Sequence, residues 1–284
     1  MTPFSLNIKG KLLSFSKPLI MGIVNATPDS FYPHSRTLTK TDVAERVKKM
    51  VDQGVDIIDV GACSTRPNTT PCEYEEELRR LRKILETVIK HKGTALVSID
   101  TFRADIARVA VNDYGADIIN DVSGGEIDEQ MFTTVASLKV PYILTHPGNH
   151  FTDVKSEKEN QNGIDITASV AKYLSIKCAE LSLLGVADII VDPGIGFGKS
   201  TEDNFRLISQ LDVIAGLVNM PVLIGLSRKS LITKTLNCTS DDALCATSAL
   251  NALALERGTS ILRVHDVAAA SQVIEIWNHL SITK

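Results

Sequence analysis

Asp188-Ile-Ile-Val-Asp-Pro193 is a short, almost unbroken apolar run that ends on a carboxylate, and its design recurs along the chain. Upstream stand residues 20–25 (IMGIVN), 56–61 (DIIDVG), 96–100 (LVSID), 117–121 (DIIND) and 142–146 (YILTH); downstream stand 222–227 (VLIGLS) and 261–265 (ILRVH). Runs rich in β-branched residues with little polar alternation suit parallel strands buried on both faces. Counting 188–193, the chain holds eight of them. Helical patterns fill the intervals at 41–53, 73–89, 102–112, 129–138, 164–184, 203–211, 241–256 and 266–280. In 73–89, for example, Leu78, Leu81, Ile84, Leu85 and Val88 form one apolar stripe with charges opposite. Gly54, Gly115, Gly185 and Gly258 follow four of these segments, as helix C-terminal stops do. Eight strand–helix alternations predict an α/β fold, a (β/α)8 TIM barrel, rather than an open doubly wound sheet. The leading stretch 6–15, with Gly10-Lys11 as its turn, is expected to form an N-terminal β-hairpin capping the barrel bottom. No linker, low-complexity tract or fixed-period repeat interrupts the pattern, so a single domain over 1–284 is expected.

Bulk properties narrow the function. The 284 residues are 44% hydrophobic and 23% charged, ordinary values for a globular enzyme. A formal net charge of −4 argues against a broad nucleic-acid-binding surface while leaving room for a local basic pocket. Five cysteines, odd in number and without a CxxC pair, read as reduced thiols rather than a disulfide framework or zinc site. The first residues carry no apolar h-region, and no stretch reaches the roughly 18 apolar residues of a membrane span. A cytoplasmic protein with no membrane partner is expected.

In such a barrel the catalytic groups lie where strands end and βα loops begin. The polar strand ends are Asn25, Asp59, Asp100, Asn120 with Asp121, His146, Asp192, residues 227–229, and Arg263 with His265. Any one of them could merely satisfy a neighbour, but carboxylates, amides, Lys, Arg and His converging on one rim form a costly constellation. The segment Asp192-Pro-Gly-Ile-Gly-Phe-Gly-Lys-Ser200 resembles a phosphate loop only superficially. Pro193 replaces the first P-loop glycine, and Lys199 stands where a dinucleotide fingerprint needs its third. It reads better as a turn letting backbone and Phe197 approach a flat ligand, with Asp192 accepting paired N–H groups from a 2-amino-pyrimidinone edge. Asp100 and Asn120 are placed to reach the same ring. In Gly225-Leu-Ser-Arg-Lys-Ser230 the start of a helix, with Lys229 and Ser230, makes an anion site, while a solvated loop accounts for Arg228. Strand alternation sends Arg263 and His265 the same way, and with Asn25 they suit a pyrophosphate and its Mg²⁺.

Together these motifs resemble the dihydropteroate synthases. The signatures are Met21-Gly-Ile-Val-Asn-Ala-Thr-Pro-Asp-Ser-Phe31, Asp59-Val-Gly-Ala-Cys-Ser-Thr-Arg-Pro67, Ser98-Ile-Asp-Thr101, Ile119-Asn-Asp-Val-Ser-Gly-Gly125, Asp192-Pro-Gly-Ile-Gly-Phe197, Ser227-Arg-Lys-Ser230 and Arg263-Val-His265. The resemblance implies condensation of 6-hydroxymethyl-7,8-dihydropterin pyrophosphate with p-aminobenzoate, Mg²⁺ as cofactor and a homodimer. It further implies that Asp100, Asn120, Asp192 and Lys229 hold the pterin, with Phe197 beside it. Asn25 ligates Mg²⁺, and Arg263 with His265 grips the pyrophosphate. Phe31, Thr65, Arg66 and Pro67 help form the p-aminobenzoate site, and Ser230 receives its carboxylate. Asp100, Lys229, Arg263 and His265 are the residues expected to act on the reacting atoms.

Departures from the family pattern fall at Tyr32-Pro-His-Ser35, at Asn68 and at Thr145-His-Pro-Gly148; Cys63, inside the second loop, reads as a small filler. Two rival functions remain open. A methyltetrahydrofolate-dependent methyltransferase domain would share the barrel but has no need of the Ser-Thr-Arg-Pro loop, the Ser-Arg-Lys-Ser start and the Arg-x-His pair together. A catalytically silent pterin-binding paralogue would bind the ring without turnover.

Overall fold

The apolar runs become strands whose neighbours bring them into one parallel sheet. In a computed structural model, residues 2–26, 39–64, 70–148 and 165–282 are described. A hairpin, β1 (Phe4–Ile8) and β2 (Lys11–Phe15), precedes the barrel strands β3 (Leu19–Asn25), β4 (Ile57–Gly61), β5 (Leu96–Asp100), β6 (Ile118–Asp121), β7 (Tyr142–Thr145), β8 (Ile189–Asp192), β9 (Leu223–Ile224) and β10 (Ile261–Val264). The order β8-β7-β6-β5-β4-β3-β10-β9 is parallel throughout. It closes through a parallel bridge between Val191 and Val222, with the Val191 amide donating to the Pro221 carbonyl at 2.9 Å. The eight strands thus form the expected (β/α)8 barrel.

Helices α1 (Lys40–Asp52), α2 (Tyr74–His91), α3 (Ala104–Tyr114), α4 (Met131–Leu138), α5 (Ile166–Leu183), α6 (Thr201–Ser209), α7 (Leu211–Val218), α8 (Ser230–Leu236), α9 (Leu244–Glu256) and α10 (Val267–Ile282) connect them. Local chemistry sets their ends. Thr39 and Asp42 form a reciprocal capping box at α1, and α3 stops at Gly115, whose φ of 67° is left-handed. The helix expected over 203–211 is α6, and a second helix that the sequence reading did not expect, α7, follows it after Gln210 (φ −122°, ψ 25°).

The hairpin turns at Lys9 and Gly10, both with positive φ (52° and 82°), one residue earlier than the sequence suggested. Positive φ at two central residues matches the twist of tight hairpins. Leu6, Ile8 and Leu13 pack against Leu19, Met21, Ile57, Ile118, Ile143, Ile190, Leu223 and Ile261, so the hairpin plugs the barrel floor. Full burial of each such side chain is worth about 1.5–3 kcal/mol.

Period-two alternation then positions the site. The strand positions that are apolar at the floor (Ile57, Leu96, Ile118, Ile190, Ile261) repeat two residues on as Asp59, Ser98, Asn120, Asp192 and Arg263. Asp100 and His265 follow after a further two. One barrel interior is therefore greasy below and polar at the mouth. Asp121 and Tyr142 occupy the opposite face. There the Tyr142 hydroxyl donates to Asp121 at 2.7 Å, and Asp121 also accepts from the Ser123 and Gly125 amides, so Asp121 serves the turn rather than the mouth.

Candidate active site

Arg263 crosses the mouth and is held by two carboxylates from neighbouring strands. Its Nε donates to Asp59 Oδ2 at 2.7 Å and its Nη2 to Asp100 Oδ2 at 2.7 Å. Asn120 Nδ2 donates to the same Asp59 oxygen at 3.1 Å. Burial opposes the Arg263 charge, but Asp59 and Asp100 more than offset it and raise its pKa. Burial pushes Asp100 the other way, up to about 7, with Arg263 opposing and the Asp59 charge adding to the rise. The Oδ1 atoms of both Asp59 and Asp100 are buried without a partner. Unmade bonds in a low-dielectric site are expensive, so two at one place mark a ligand position. The sequence assigned Arg263 to phosphate alone; here its guanidinium is also the counterion that lets two carboxylates share the mouth.

Lys229 approaches from the far side. Its Nζ donates to the Ile195 carbonyl and lies 5.1 Å from the Phe197 ring centroid. Burial lowers its pKa to about 8 against the pull of Asp192. Asp192 is raised by burial, offset by Lys229 and by the Gly194 amide, which donates to its Oδ1 at 2.7 Å. Gly194 has φ +70°, and a Cβ there would lie 1.9 Å from the His146 carbonyl oxygen. Only glycine lets the loop after β8 press so closely on the end of β7. Lys199 ties the same loops together, donating to Gly194 O at 2.8 Å, Phe197 O at 3.2 Å and His146 O at 3.3 Å. The failed fingerprint position thus has a structural purpose that no motif announced.

At the other rim His265 Nδ1 lies 3.0 Å from Ser227 Oγ, and the His265 backbone amide donates to that oxygen at 3.2 Å. Burial, then the charges of Arg46 and Arg263, depress His265 to about 3, so the imidazole is neutral. Arg46, a residue of α1 whose Nη2 donates to Ile23 O at 2.9 Å, adds positive potential that sequence reading missed. Arg228 corrects an expectation. Its side chain is only 9% exposed and forks onto Asp266 at 2.9 and 3.0 Å, instead of trailing on a solvated loop. His146, half-buried, is depressed to about 3 by burial and the Lys199 charge, accepts from the Gly148 amide and packs edge-on to Tyr173, which makes it structural.

Asn25 ends β3 beside Gly61 and Asp100: a Cβ on Gly61 would meet Asn25 Oδ1 at 2.9 Å and Asp100 Cβ at 3.5 Å. This cradle, open because residue 61 lacks a side chain and offering hard oxygens, suits Mg²⁺. Ser230 begins α8 with an exposed side chain after Lys229, which occupies the N-cap without a side-chain bond. The structure brings together Asn25, Asp100, Asn120, Asp192, Phe197, Lys229, Arg263 and His265 around the mouth. Phe31, Thr65, Arg66 and Pro67, with Tyr32-Pro-His-Ser35 and Asn68, lie outside the described residues.

Residues 21–265 match the family described as pterin binding enzyme. A dihydropteroate synthase of Streptococcus pyogenes is 36% identical over 275 residues, covering 95% of this chain and 98% of that protein. The chain belongs to the dihydropteroate synthase family. A folate synthesis bifunctional protein of Arabidopsis thaliana is 38% identical over 272 residues, 90% of this chain and 55% of the plant protein. The chain therefore spans about half the length of that longer member of the family. Among solved structures, a dihydropteroate synthase from Coxiella burnetii in complex with pteroic acid superposes with a TM-score of 0.86 at 34% identity, covering 99% of this chain and all of that one. As in other α/β barrels, the polar strand ends of this dihydropteroate synthase family member gather at one mouth.

Proposed function

We propose that the chain is a dihydropteroate synthase, a transferase joining 6-hydroxymethyl-7,8-dihydropterin pyrophosphate to p-aminobenzoate, with release of pyrophosphate and 7,8-dihydropteroate in folate biosynthesis. The observation that carries this reading is the division of the mouth into two chemistries. Asp192, Asn120 and Lys229 present carboxylate, amide and ammonium to a flat heterocycle, with Phe197 alongside. Opposite them, Arg263 and neutral His265 sit in the field of Arg46, where an anionic leaving group belongs.

In this reading Asp192 accepts from the pterin's amino-pyrimidinone edge, and Lys229 and Asn120 fix the ring's orientation. Asp100 lies against the ring carbon side and stabilises positive charge as the C–O bond to pyrophosphate weakens. Arg263 donates to the departing oxygens, and His265, its Nδ1 satisfied by Ser227, offers Nε2–H. The aromatic amine then attacks with its carboxylate near Ser230, and Phe31, Thr65, Arg66 and Pro67 complete that half-site. Mg²⁺, held by the Asn25 amide oxygen and substrate phosphates, would neutralise leaving-group charge. No protein nucleophile is used, so a stable pterin–protein adduct would overturn this mechanism.

The five free cysteines fit a cytoplasmic compartment, and the apolar Leu253 and Ile276, 59% and 65% exposed on α9 and α10, fit a homodimer. No helix among the described residues is long and apolar enough to cross a membrane. One barrel suffices for the whole reaction in this proposal. The test mixes protein, both substrates and Mg²⁺ and follows pyrophosphate and dihydropteroate together, with Asp192→Asn and Arg263→Ala alongside. Stoichiometric products lost in both variants are expected. Pterin binding without turnover would instead indicate a silent paralogue, and preference for methyltetrahydrofolate a methyltransferase.

A further inference from the structure

Two of the cysteines that the sequence left unpaired meet where β4 runs into its loop. Cys63 and Cys72 have their Sγ atoms within 4.8 Å of one another and of a Glu77 oxygen, and the Cys72 amide donates to Cys63 Sγ at 3.2 Å. Cys63 is buried, whereas Cys72 is half-buried. Arg103 donates from Nη2 to the Cys72 carbonyl at 2.7 Å and forms an ion pair with Glu77, which also accepts from Thr101 at 2.7 Å.

From this geometry we propose that Cys63 and Cys72 form a reversible disulfide that cross-links the two ends of the segment carrying Thr65, Arg66 and Pro67. A disulfide needs its sulfurs about 2.05 Å apart, and the two start within 4.8 Å of one another, joined by the hydrogen bond from the Cys72 amide to Cys63 Sγ. A metal ion is disfavoured. Glu77 already neutralises Arg103 and accepts from Thr101, and a divalent cation would sit against the Arg103 charge with only three ligands. Burial and the neighbouring Cys72 and Glu77 hold the Cys63 thiol up at about 12, so Cys63 is the poorer first nucleophile. Cys72, the more exposed of the two, attacks first.

The oxidant is a low-molecular-weight disulfide, RSSR. The Cys72 thiolate attacks one sulfur, giving a mixed disulfide and releasing one thiolate, RS⁻. Cys63 gives up its proton and displaces the second RS⁻, closing the protein disulfide. Two protein thiols lose two electrons and two protons, and RSSR becomes two RSH. The ring so closed contains the residues assigned to p-aminobenzoate, a consequence that rests on the proposed function, whereas bond formation does not.

The test equilibrates the full-length reduced protein with mixtures of oxidised and reduced glutathione, alkylates free thiols and maps peptides by mass spectrometry. A Cys63–Cys72 cross-linked peptide is expected, reversed by dithiothreitol and absent in Cys72→Ser and in Cys63→Ser. In Cys63→Ser a glutathione adduct should instead persist at Cys72. Oxidation should raise the KM for p-aminobenzoate severalfold in the wild type and leave Cys72→Ser unaffected. Both thiols remaining alkylatable at strongly oxidising ratios would overturn the proposal. So would protection from alkylation by Zn²⁺ alone, which would make the cluster a metal site. A cross-link with unchanged KM would overturn its regulatory half, and if neither form made product the peptide map would still decide the bond.

Discussion

Replacing Asp59 by Asn separates its charge from its shape. Asp59 is fully buried, binds Arg263 Nε at 2.7 Å and adds to the upward push on Asp100, whose pKa lies near 7. For two carboxylate charges taken as about 6 Å apart on one guanidinium, an effective dielectric of ~20 gives about 2.8 kcal/mol of repulsion. At 1.36 kcal/mol per pH unit, that full value corresponds to about two units. Relaxation takes part of it, so the expected fall in the Asp100 pKa is about one to two units. Arg263, losing one counterion, turns more strongly to Asp100 and pushes in the same direction.

The assay is kcat/KM for dihydropteroate formation between pH 5 and 9. If Asp100 must be ionised to face developing positive charge, wild-type activity falls as pH drops through about 7. In Asp59→Asn the same fall comes at lower pH, so the ratio of activity at pH 6 to that at pH 8 rises. A thermal melt of each variant accompanies the kinetics, because breaking a buried ion pair costs about 3–5 kcal/mol and a partly unfolded sample would mimic a loss of activity. The melt has its own pH dependence. With a folded pKa near 7 against an ordinary carboxyl value of 3.8, Asp100 favours the folded state most fully below 3.8 and loses that contribution as pH rises through 7. Asp59→Asn should flatten that slope. An acid limb that stays in place or moves up in a folded variant would refute the coupling.

Gly194→Ala places a methyl 1.9 Å from the His146 carbonyl at a φ of +70°. It should lower the melting temperature and abolish pterin binding measured by calorimetry, whereas Gly216→Ala, where nothing lies within 4 Å, should do neither. Gly61→Ala drives a Cβ to 2.9 Å from Asn25 Oδ1, so the Mg²⁺ concentration needed for half-maximal rate should rise at least tenfold with the pterin Kd little changed. Asp266→Asn removes the carboxylate that Arg228 grips at 2.9 and 3.0 Å, and a loss of about 1–3 kcal/mol should appear in urea unfolding. Lys199→Met removes three carbonyl contacts from the loop bearing Phe197 and should raise KM for the pterin substrate more than it lowers kcat, with Lys199→Arg restoring part of the loss.

The barrel was legible because burial on both faces leaves few choices of residue. The runs IMGIVN and DIIVDP are strand-like whatever surrounds them, and β3 and β8 fall where those runs stand. Polar residues at every second position near each strand's end could be read as one mouth for the same reason, since alternation fixes which way Asp59, Asp100, Asn120 and Arg263 point. Helix α7 escaped because the expected helix was ended at 211, where α7 begins after Gln210.

What stayed hidden in the site is pairing over long separations. Arg263 and Asp59 are 204 residues apart, Arg228 and Asp266 are 38, and Lys199 reaches back 53 to His146. Each sequence segment announced a charge, and only closure of the barrel decided what that charge met. The error over Arg228 has this origin: a lone arginine beside a lysine reads as solvated until Asp266 is brought against it. The same logic explains why Asp59 was passed over while Arg263 was given to phosphate alone. With Asp59 holding Nε as a permanent buried counterion, Arg263 can surrender Asp100 when an anionic leaving group arrives and still remain paired. In the proposed mechanism Asp100 would then be released toward the carbon where positive charge grows. On the proposed function Asp59 would thus govern the timing of Arg263 and Asp100, and nothing in the segment around Asp59 alone distinguishes that task from ordinary core polarity.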